Sequence, residues 1–179
     1  EAIRDRFRLD WSGFKDALKT SEPGNGGGLL LPYFDPEIVP KIAAGVVRKT
    51  LEENDAKGNV RAVIEAQAMS SHIHSRWMGI PITSLFVTGG ASANEEILKI
   101  FANVHGCEVH RFETTNAAAL GSALRAYQGN QPNISWAEIT GPFCQPIFGS
   151  TIQPDPSTRA IYDMLITSYE KLEKQHTKL

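Results

Sequence analysis

The sequence has few cysteines, no long apolar run and no excess of either charge. Its two cysteines, Cys107 and Cys144, cannot form a disulfide framework and indicate a reducing compartment. Eighteen basic and twenty acidic side chains give a formal charge of -2, without the basic excess typical of proteins that bind DNA or RNA. The longest apolar runs, Gly27–Pro32 and Leu85–Val87, are far shorter than the roughly 20 residues of a membrane-spanning helix.

The composition itself is that of an ordinary globular domain. Hydrophobic residues make up 41% and charged residues 21% of the 179 positions, enough for a packed core and too apolar for a disordered chain. Glu1–Arg6 is charged and lacks the apolar stretch of a signal peptide. Because the first residue is not Met, we expect the chain to start inside a longer gene product. Together these features predict a cytoplasmic α/β domain with no membrane or nucleic-acid partner.

Apolar residues at helical spacing predict three amphipathic helices. The first covers Asp10–Thr20, with Ser12 as a candidate N-cap; its Trp11 is either a core anchor or a platform on which a ligand stacks. The other two are Asn59–Trp77, rich in small residues that permit close packing, and the terminal Thr158–Lys174.

The segments between these helices are rich in glycine or proline. Glu22–Gly28 holds four glycines and a proline and predicts a loop, and Leu29–Phe34 predicts a short extended run after it. Residues 132–156 are rich in proline and predict irregular structure.

The centre of the sequence predicts an α/β unit. Ser92 or Asn94 would open its first helix, and Thr114 or Thr115 its second. The predicted elements are a strand (Thr83–Thr88), a helix (Glu95–His105), a second strand (Cys107–Phe112) and a second helix (Asn116–Tyr127). The first strand is expected to be buried, because it is rich in β-branched and aromatic residues.

The turn Gly89–Asn94 between the first strand and helix is a candidate binding site. Glycines leave the backbone open to close approach by a flat ligand, and the N–H groups at a helix start offer hydrogen-bond donors. Ser92 and Asn94 would add side-chain hydrogen bonds. An ordinary tight turn with capping is the alternative. The turn has neither the Gly-x-Gly-x-x-Gly pattern of a dinucleotide site nor the Gly-Lys-Ser/Thr of a P-loop.

The histidines do not have the spacing of a metal site. His72 and His74 lie two apart, so on a helix they point in different directions. His105, Cys107 and His110 lack the paired spacing of a zinc module. We therefore expect no metal centre.

Several motifs resemble the C-terminal region of the FGGY carbohydrate kinases, which belong to the actin-like ATPase superfamily. Within that family the resemblance is to the eukaryotic type that phosphorylates xylulose. The segments that carry it are Trp11–Lys15, Gly24–Gly27, Arg61–Gln67, Phe86–Asn94 and Thr114–Ala126.

This resemblance implies the fold and the ligand. The fold would be α/β, the ribonuclease H-like C-terminal part of an actin-like ATPase and an incomplete half of a two-domain kinase. Residues 1–179 would form its nucleotide-side domain, with ATP in the cleft between the domains. By correspondence with the family's motifs, the nucleotide-binding residues would be Trp11, Gly89, Gly90, Ala91, Ser92 and Asn94.

The same resemblance places the chemical half of the enzyme outside this sequence. The family's catalytic aspartate, its phosphate-binding Asp-x-Gly-Thr segment and its sugar contacts lie upstream, so no catalytic residue or metal ligand is assigned here. The implied reaction converts D-xylulose to D-xylulose 5-phosphate with ATP and Mg²⁺, and the isolated chain is expected to be inactive. Two alternatives stay open: a kinase for another sugar or polyol such as ribulose, gluconate or glycerol, and a non-enzymatic actin-like assembly module. A homodimer is a further expectation.

Overall fold

A computed structural model of the chain describes residues 1–38, 41–112 and 116–177. Within these ranges the α-helices are α1 (Ala2–Arg6), α2 (Trp11–Thr20), α3 (Ala56–His74), α4 (Glu95–His105), α5 (Ala117–Asn130), α6 (Trp136–Thr140) and α7 (Arg159–His176). The strands are β1 (Leu29–Tyr33), β2 (Gly45–Lys49), β3 (Ser84–Val87) and β4 (Glu108–Arg111). Short 3₁₀ turns lie at Asn25–Gly27, Arg76–Met78, Gly90–Ala93 and Pro156–Thr158.

Helix α3 is the centre of the main core. It packs against β1, α2, α4 and α7, and its small residues Ala62, Ala66 and Ala68 are buried against these neighbours. Asp55 begins the helix by accepting a hydrogen bond from the N–H of Gly58 at 2.9 Å. The predicted helix is confirmed, although it starts three residues earlier than the apolar pattern indicated.

Strands β1 and β2 form an antiparallel pair in which Leu31 lies opposite Val47. Leu29, Leu30 and Leu31 are buried in the main core, so the predicted extended run is confirmed. The sequence analysis missed β2, because its short Gly-Val-Val-Arg-Lys stretch has no marked alternation of apolar and polar residues.

Strands β3 and β4 are parallel and are joined by α4, which confirms the predicted α/β unit. Leu98 and Ala102 of α4 pack on Val109 of β4 in a second, smaller core. The expectation that the first strand is buried was wrong. Phe86 in β3 is 55% exposed, because α4 covers one face of this pair and the described residues leave the aromatic face of Phe86 open.

Two predicted helix starts differ from the structure. Asp10, not Ser12, caps α2 by accepting a hydrogen bond from the N–H of Gly13 at 2.7 Å. Asn116 caps α5 through its side-chain oxygen, which is 3.2 Å from the N–H of Ala119. The candidate caps Thr114 and Thr115 lie outside the described residues.

The last third of the chain holds one element that the sequence analysis missed. Helix α6 lies within the stretch expected to be irregular, and Ser135 and Glu138 form a reciprocal capping box at its start. The terminal helix is confirmed as α7, whose Leu165, Tyr169 and Leu172 are buried. No helix in the described ranges combines the length and apolarity required to cross a bilayer.

Candidate functional site

A cleft with a volume of about 830 Å³ lies where several segments of the chain meet. Helices α1, α2, α3 and α4 and the turn between β3 and α4 all contribute to its wall. Most of the lining side chains are apolar, and the exceptions are Glu1, Lys15, Gln67 and Asn94. Such a cleft suits a flat, largely apolar ligand that is oriented by a few polar groups.

The turn that follows β3 exposes main chain to this cleft. Gly89 has φ of 89° and ψ of -177°, a conformation that is essentially restricted to glycine. Gly90 then starts the 3₁₀ turn, and a Cβ placed on it would meet no atom of the described residues within 4 Å. The space beside Gly90 is therefore open to a ligand.

Asn94 links this turn to α4. Its Oδ1 accepts a hydrogen bond from the N–H of Glu96 at 3.1 Å, so Asn94, not Ser92, caps the helix. Its amide nitrogen donates no hydrogen bond to the described residues, although Asn94 lines the cleft. This nitrogen is therefore available as a donor to a bound molecule.

Trp11 stands at the edge of the cleft, at the first position of α2. The indole is 59% exposed, whereas Phe14 one turn later is buried. The guanidinium of Arg4 lies 4.5 Å from the centre of the Trp11 ring, and the Phe14 ring meets Trp11 edge-on at 6.0 Å. These contacts hold the ring in place and leave much of its surface open.

Four of the six residues assigned by resemblance line this one cleft: Trp11, Gly90, Ala91 and Asn94. The other two, Gly89 and Ser92, do not line it. The hydroxyl of Ser92 donates to the carbonyl oxygen of Gly89 at 2.7 Å, so these two residues stabilise the turn itself.

The start of α4 carries charge close to the cleft. The Lys99 ammonium, 3.0 Å from Glu95, holds the pKa of that carboxyl below its usual range, and Lys15 lowers it further. The carboxylates of Glu95 and Glu96 in turn raise the pKa of Lys99. Lys15 therefore brings a positive charge to the cleft, and the two acids at the start of α4 are paired with Lys99.

Gln67 and α1 are features of the cleft that sequence reasoning missed. Glu1 and the first residues of α1, Ala2 and Ile3, form part of the wall, and a five-residue helix gives no periodic signal that predicts such a position. Gln67 did carry a signal, because it is an amide within an otherwise apolar or small stripe of α3.

A buried ionic network holds the glycine loop to the core. Oε1 of Glu65 accepts hydrogen bonds from the N–H of Gly24 at 2.9 Å, from Nε of Arg61 at 2.7 Å and from the hydroxyl of Tyr162 at 2.9 Å. Removing either partner of the buried Arg61–Glu65 ion pair would lower the stability by about 3–5 kcal/mol, because the other charge stays buried. A smaller cavity of about 420 Å³ lies beside this loop, and none of the six assigned residues lines it.

The described residues contain no cluster of three or more His, Cys, Asp or Glu side chains suited to a metal ion. The residues that line the cleft can position a ligand through apolar contact and hydrogen bonds.

Comparisons with known proteins identify the family. The model for the "FGGY family of carbohydrate kinases, C-terminal domain" matches residues 12–128. A xylulose kinase of Rattus norvegicus is 34% identical over 98% of this chain and 34% of its own length. Xylulose kinase 2 of Arabidopsis thaliana is 36% identical over 72% of this chain and 26% of its own length.

Solved structures share the fold. The chain superposes on a ligand-bound xylulose kinase from Lactobacillus acidophilus with a TM-score of 0.82 and 20% identity, over 97% of this chain and 36% of that one. This likeness confirms the expected fold, the C-terminal part of an actin-like ATPase. The chain spans about a third of the length of the rat relative. The matched family model and the identity to these relatives show that the chain belongs to the FGGY family of carbohydrate kinases.

Proposed function

We propose that this chain is the C-terminal, nucleotide-binding domain of a kinase that transfers the γ-phosphate of ATP to D-xylulose, and that the adenosine part of ATP lies in the 830 Å³ cleft. The product would be D-xylulose 5-phosphate. The observation that carries the proposal is that Trp11, Gly90, Ala91 and Asn94 line the same cleft.

Each of these groups suits part of a purine nucleoside. The exposed surface of Trp11 offers a stacking platform for an aromatic base. The bare main chain at Gly90 permits close approach of a flat ring, because no side chain stands between them. The amide nitrogen of Asn94 is a donor for a ring nitrogen or a ribose oxygen.

The proposed reaction needs further groups that we assign to no residue of this chain. Attack by a sugar hydroxyl on the γ-phosphate requires a positioned carboxylate as base, and Mg²⁺ to bridge and neutralise the phosphates. We place both, with the sugar contacts, in an N-terminal domain preceding residue 1. The 179 residues alone would then bind adenine nucleotide weakly and not turn over, because one wall of a cleft cannot exclude water or align the reactants.

The proposal includes a cytoplasmic location and small-molecule substrates as the main partners. The near-neutral charge balance offers no surface excess for nucleic acid, and both cysteines are free thiols.

Calorimetry tests the binding part of the proposal. We expect this chain to bind ADP with a measurable heat at millimolar ligand, and to bind cytidine diphosphate more weakly, since a smaller base covers less of Trp11. Absence of any heat with ADP would contradict nucleotide binding and would favour an assembly module.

A kinase assay tests the substrate. This chain, joined to the N-terminal domain proposed above, is supplied with Mg·ATP and, in turn, D-xylulose, D-ribulose, D-gluconate or glycerol. We expect D-xylulose to give the highest kcat/KM. A higher value with another acceptor would overturn the choice of sugar while leaving the nucleotide site in place.

A further inference from the structure

Gln67 is the one exposed side chain in a long buried stretch of α3. All the remaining residues of the helix from Gly58 to Met69 are buried. The exposed Gln67 lines the 830 Å³ cleft. Its amide makes no hydrogen bond to the described residues.

The surroundings of Gln67 are apolar. Val63 and Ile64, one turn earlier on α3, line the same cleft. Ile97 and Phe101 of α4 line it as well. A purine lying against these side chains would bury its ring faces and would still have to satisfy the polar atoms on its edge.

We propose that the Gln67 amide recognises the edge of the bound base and selects adenine through its 6-amino group. This inference rests on the proposed function, because it assumes that the cleft holds a nucleotide. A glutamine amide carries an acceptor and a donor in one plane, and adenine presents its 6-amino donor next to a ring-nitrogen acceptor. Two hydrogen bonds therefore form at once, with the amide oxygen accepting from the 6-amino group and the amide nitrogen donating to the ring nitrogen.

Other polar groups of the cleft are less suited to this role. The oxygen of Asn94 is already engaged as the cap of α4, so Asn94 can act only as a donor to the ligand. Lys15 is a cation with donors alone, and Glu1 is acceptor-only when ionised. Among the side chains that line the cleft in the described ranges, Gln67 alone offers an unpaired donor and an unpaired acceptor together.

The test compares ADP with purine riboside 5′-diphosphate, which has hydrogen in place of the 6-amino group. For the unaltered chain we expect calorimetry to give about fivefold tighter binding of ADP, the equivalent of one hydrogen bond. Gln67→Met keeps length and helix propensity but removes both hydrogen bonds. It should weaken ADP about tenfold and bring the preference for ADP close to one.

Two further variants sharpen the result. Gln67→Glu keeps an acceptor for the 6-amino group and loses the donor, so affinity should fall while a preference for ADP persists. Gln175→Met makes the same change at an exposed position of α7 and should leave both affinities unaltered.

The outcomes separate this inference from the proposed function. If the unaltered chain binds neither nucleotide, the nucleotide site itself fails, and the role of Gln67 falls with it. If the chain binds ADP and Gln67→Met keeps the preference for ADP, only the role of Gln67 is overturned.

Discussion

The side-chain oxygen of Asn94 accepts a hydrogen bond from the backbone N–H of Glu96 at 3.1 Å. One side chain can therefore have two tasks: its oxygen caps α4, and its nitrogen, which donates to none of the described residues, is left for a ligand in the cleft that Asn94 lines. Because the tasks use different atoms, substitutions can separate them.

Asn94→Asp should keep the cap and lose the ligand contact. A carboxylate caps a helix as well as an amide does, so the free energy of unfolding should change by less than about 0.5 kcal/mol. The donor to the nucleotide is gone, and we expect affinity for ADP to fall about fivefold or more. Calorimetry and urea unfolding measure the two effects.

Asn94→Ala is the companion variant. It removes both atoms, so it should lower the free energy of unfolding by about 1 kcal/mol as well as weakening ADP. If Asn94→Asp binds ADP as tightly as the unaltered chain does, Asn94 does not contact the nucleotide.

Gly90→Val should block the cleft without disturbing the fold. A Cβ on Gly90 meets no atom of the described residues within 4 Å, and the φ of Gly90 is not in the left-handed region. The branched side chain would instead occupy the space of the ligand, and we expect ADP to bind at least about tenfold more weakly, with the unfolding free energy changed by less than about 1 kcal/mol.

Gly45→Val is the matched control for this variant. Gly45 lies in β2, and a Cβ there also meets no atom within 4 Å. Its affinity for ADP should be unchanged. Normal ADP binding by Gly90→Val would place the nucleotide elsewhere.

Much of this site could be predicted from the sequence, because the turn is formed by residues that are neighbours along the chain. A strand followed by two glycines and a capping residue predicts an exposed main-chain turn before a helix, and Gly89, Gly90 and Asn94 form that turn. Trp11 was predicted as a core anchor or a stacking platform, and its exposure at the edge of the cleft favours the second interpretation.

What the sequence could not supply depends on contacts between distant segments. Helical periodicity places Gln67 on the same stripe as buried residues, and only the packing of α2 and α4 around the cleft leaves it exposed. The composition of β3 indicates a strand but not what covers it, which is why the exposure of Phe86 was missed.

His105 should make the stability of the chain depend on pH. Burial, with a smaller effect of the neighbouring His72, lowers the pKa of His105 from 6.5 to about 4. Between these two values the folded chain binds fewer protons than the unfolded chain does, so the free energy of unfolding falls as the pH is lowered from 6.5 towards 4. From pH 7 to pH 5 we expect a loss of about 2 kcal/mol from this group.

Urea unfolding at the two pH values measures this loss, and His105→Gln isolates it. The glutamine can still accept the hydrogen bond that Ser71 makes with the ring at 3.1 Å, but it does not titrate. The variant should therefore lose less stability between pH 7 and pH 5 than the unaltered chain, whereas the exposed His176→Gln should lose the same amount. An equal loss in His105→Gln would show that His105 does not control the acid sensitivity.

The open face of the β3–β4 pair should make the chain self-associate. The Phe86 ring stacks on His110 at 5.0 Å and on Phe112 at 5.4 Å, and Phe86 itself is 55% exposed, so its ring is an uncovered apolar surface in the described residues. Parallel strands are normally covered on both faces, and exposed apolar patches mark interaction sites.

Light scattering should therefore show the mass rising from 19.6 kDa towards that of a homodimer as the concentration increases. Phe86→Glu should keep the chain monomeric, because a charge on that face opposes its burial. Met164→Glu, at an exposed position of α7, should leave the self-association unchanged. A mass of 19.6 kDa for the unaltered chain at several hundred micromolar would contradict association through this face.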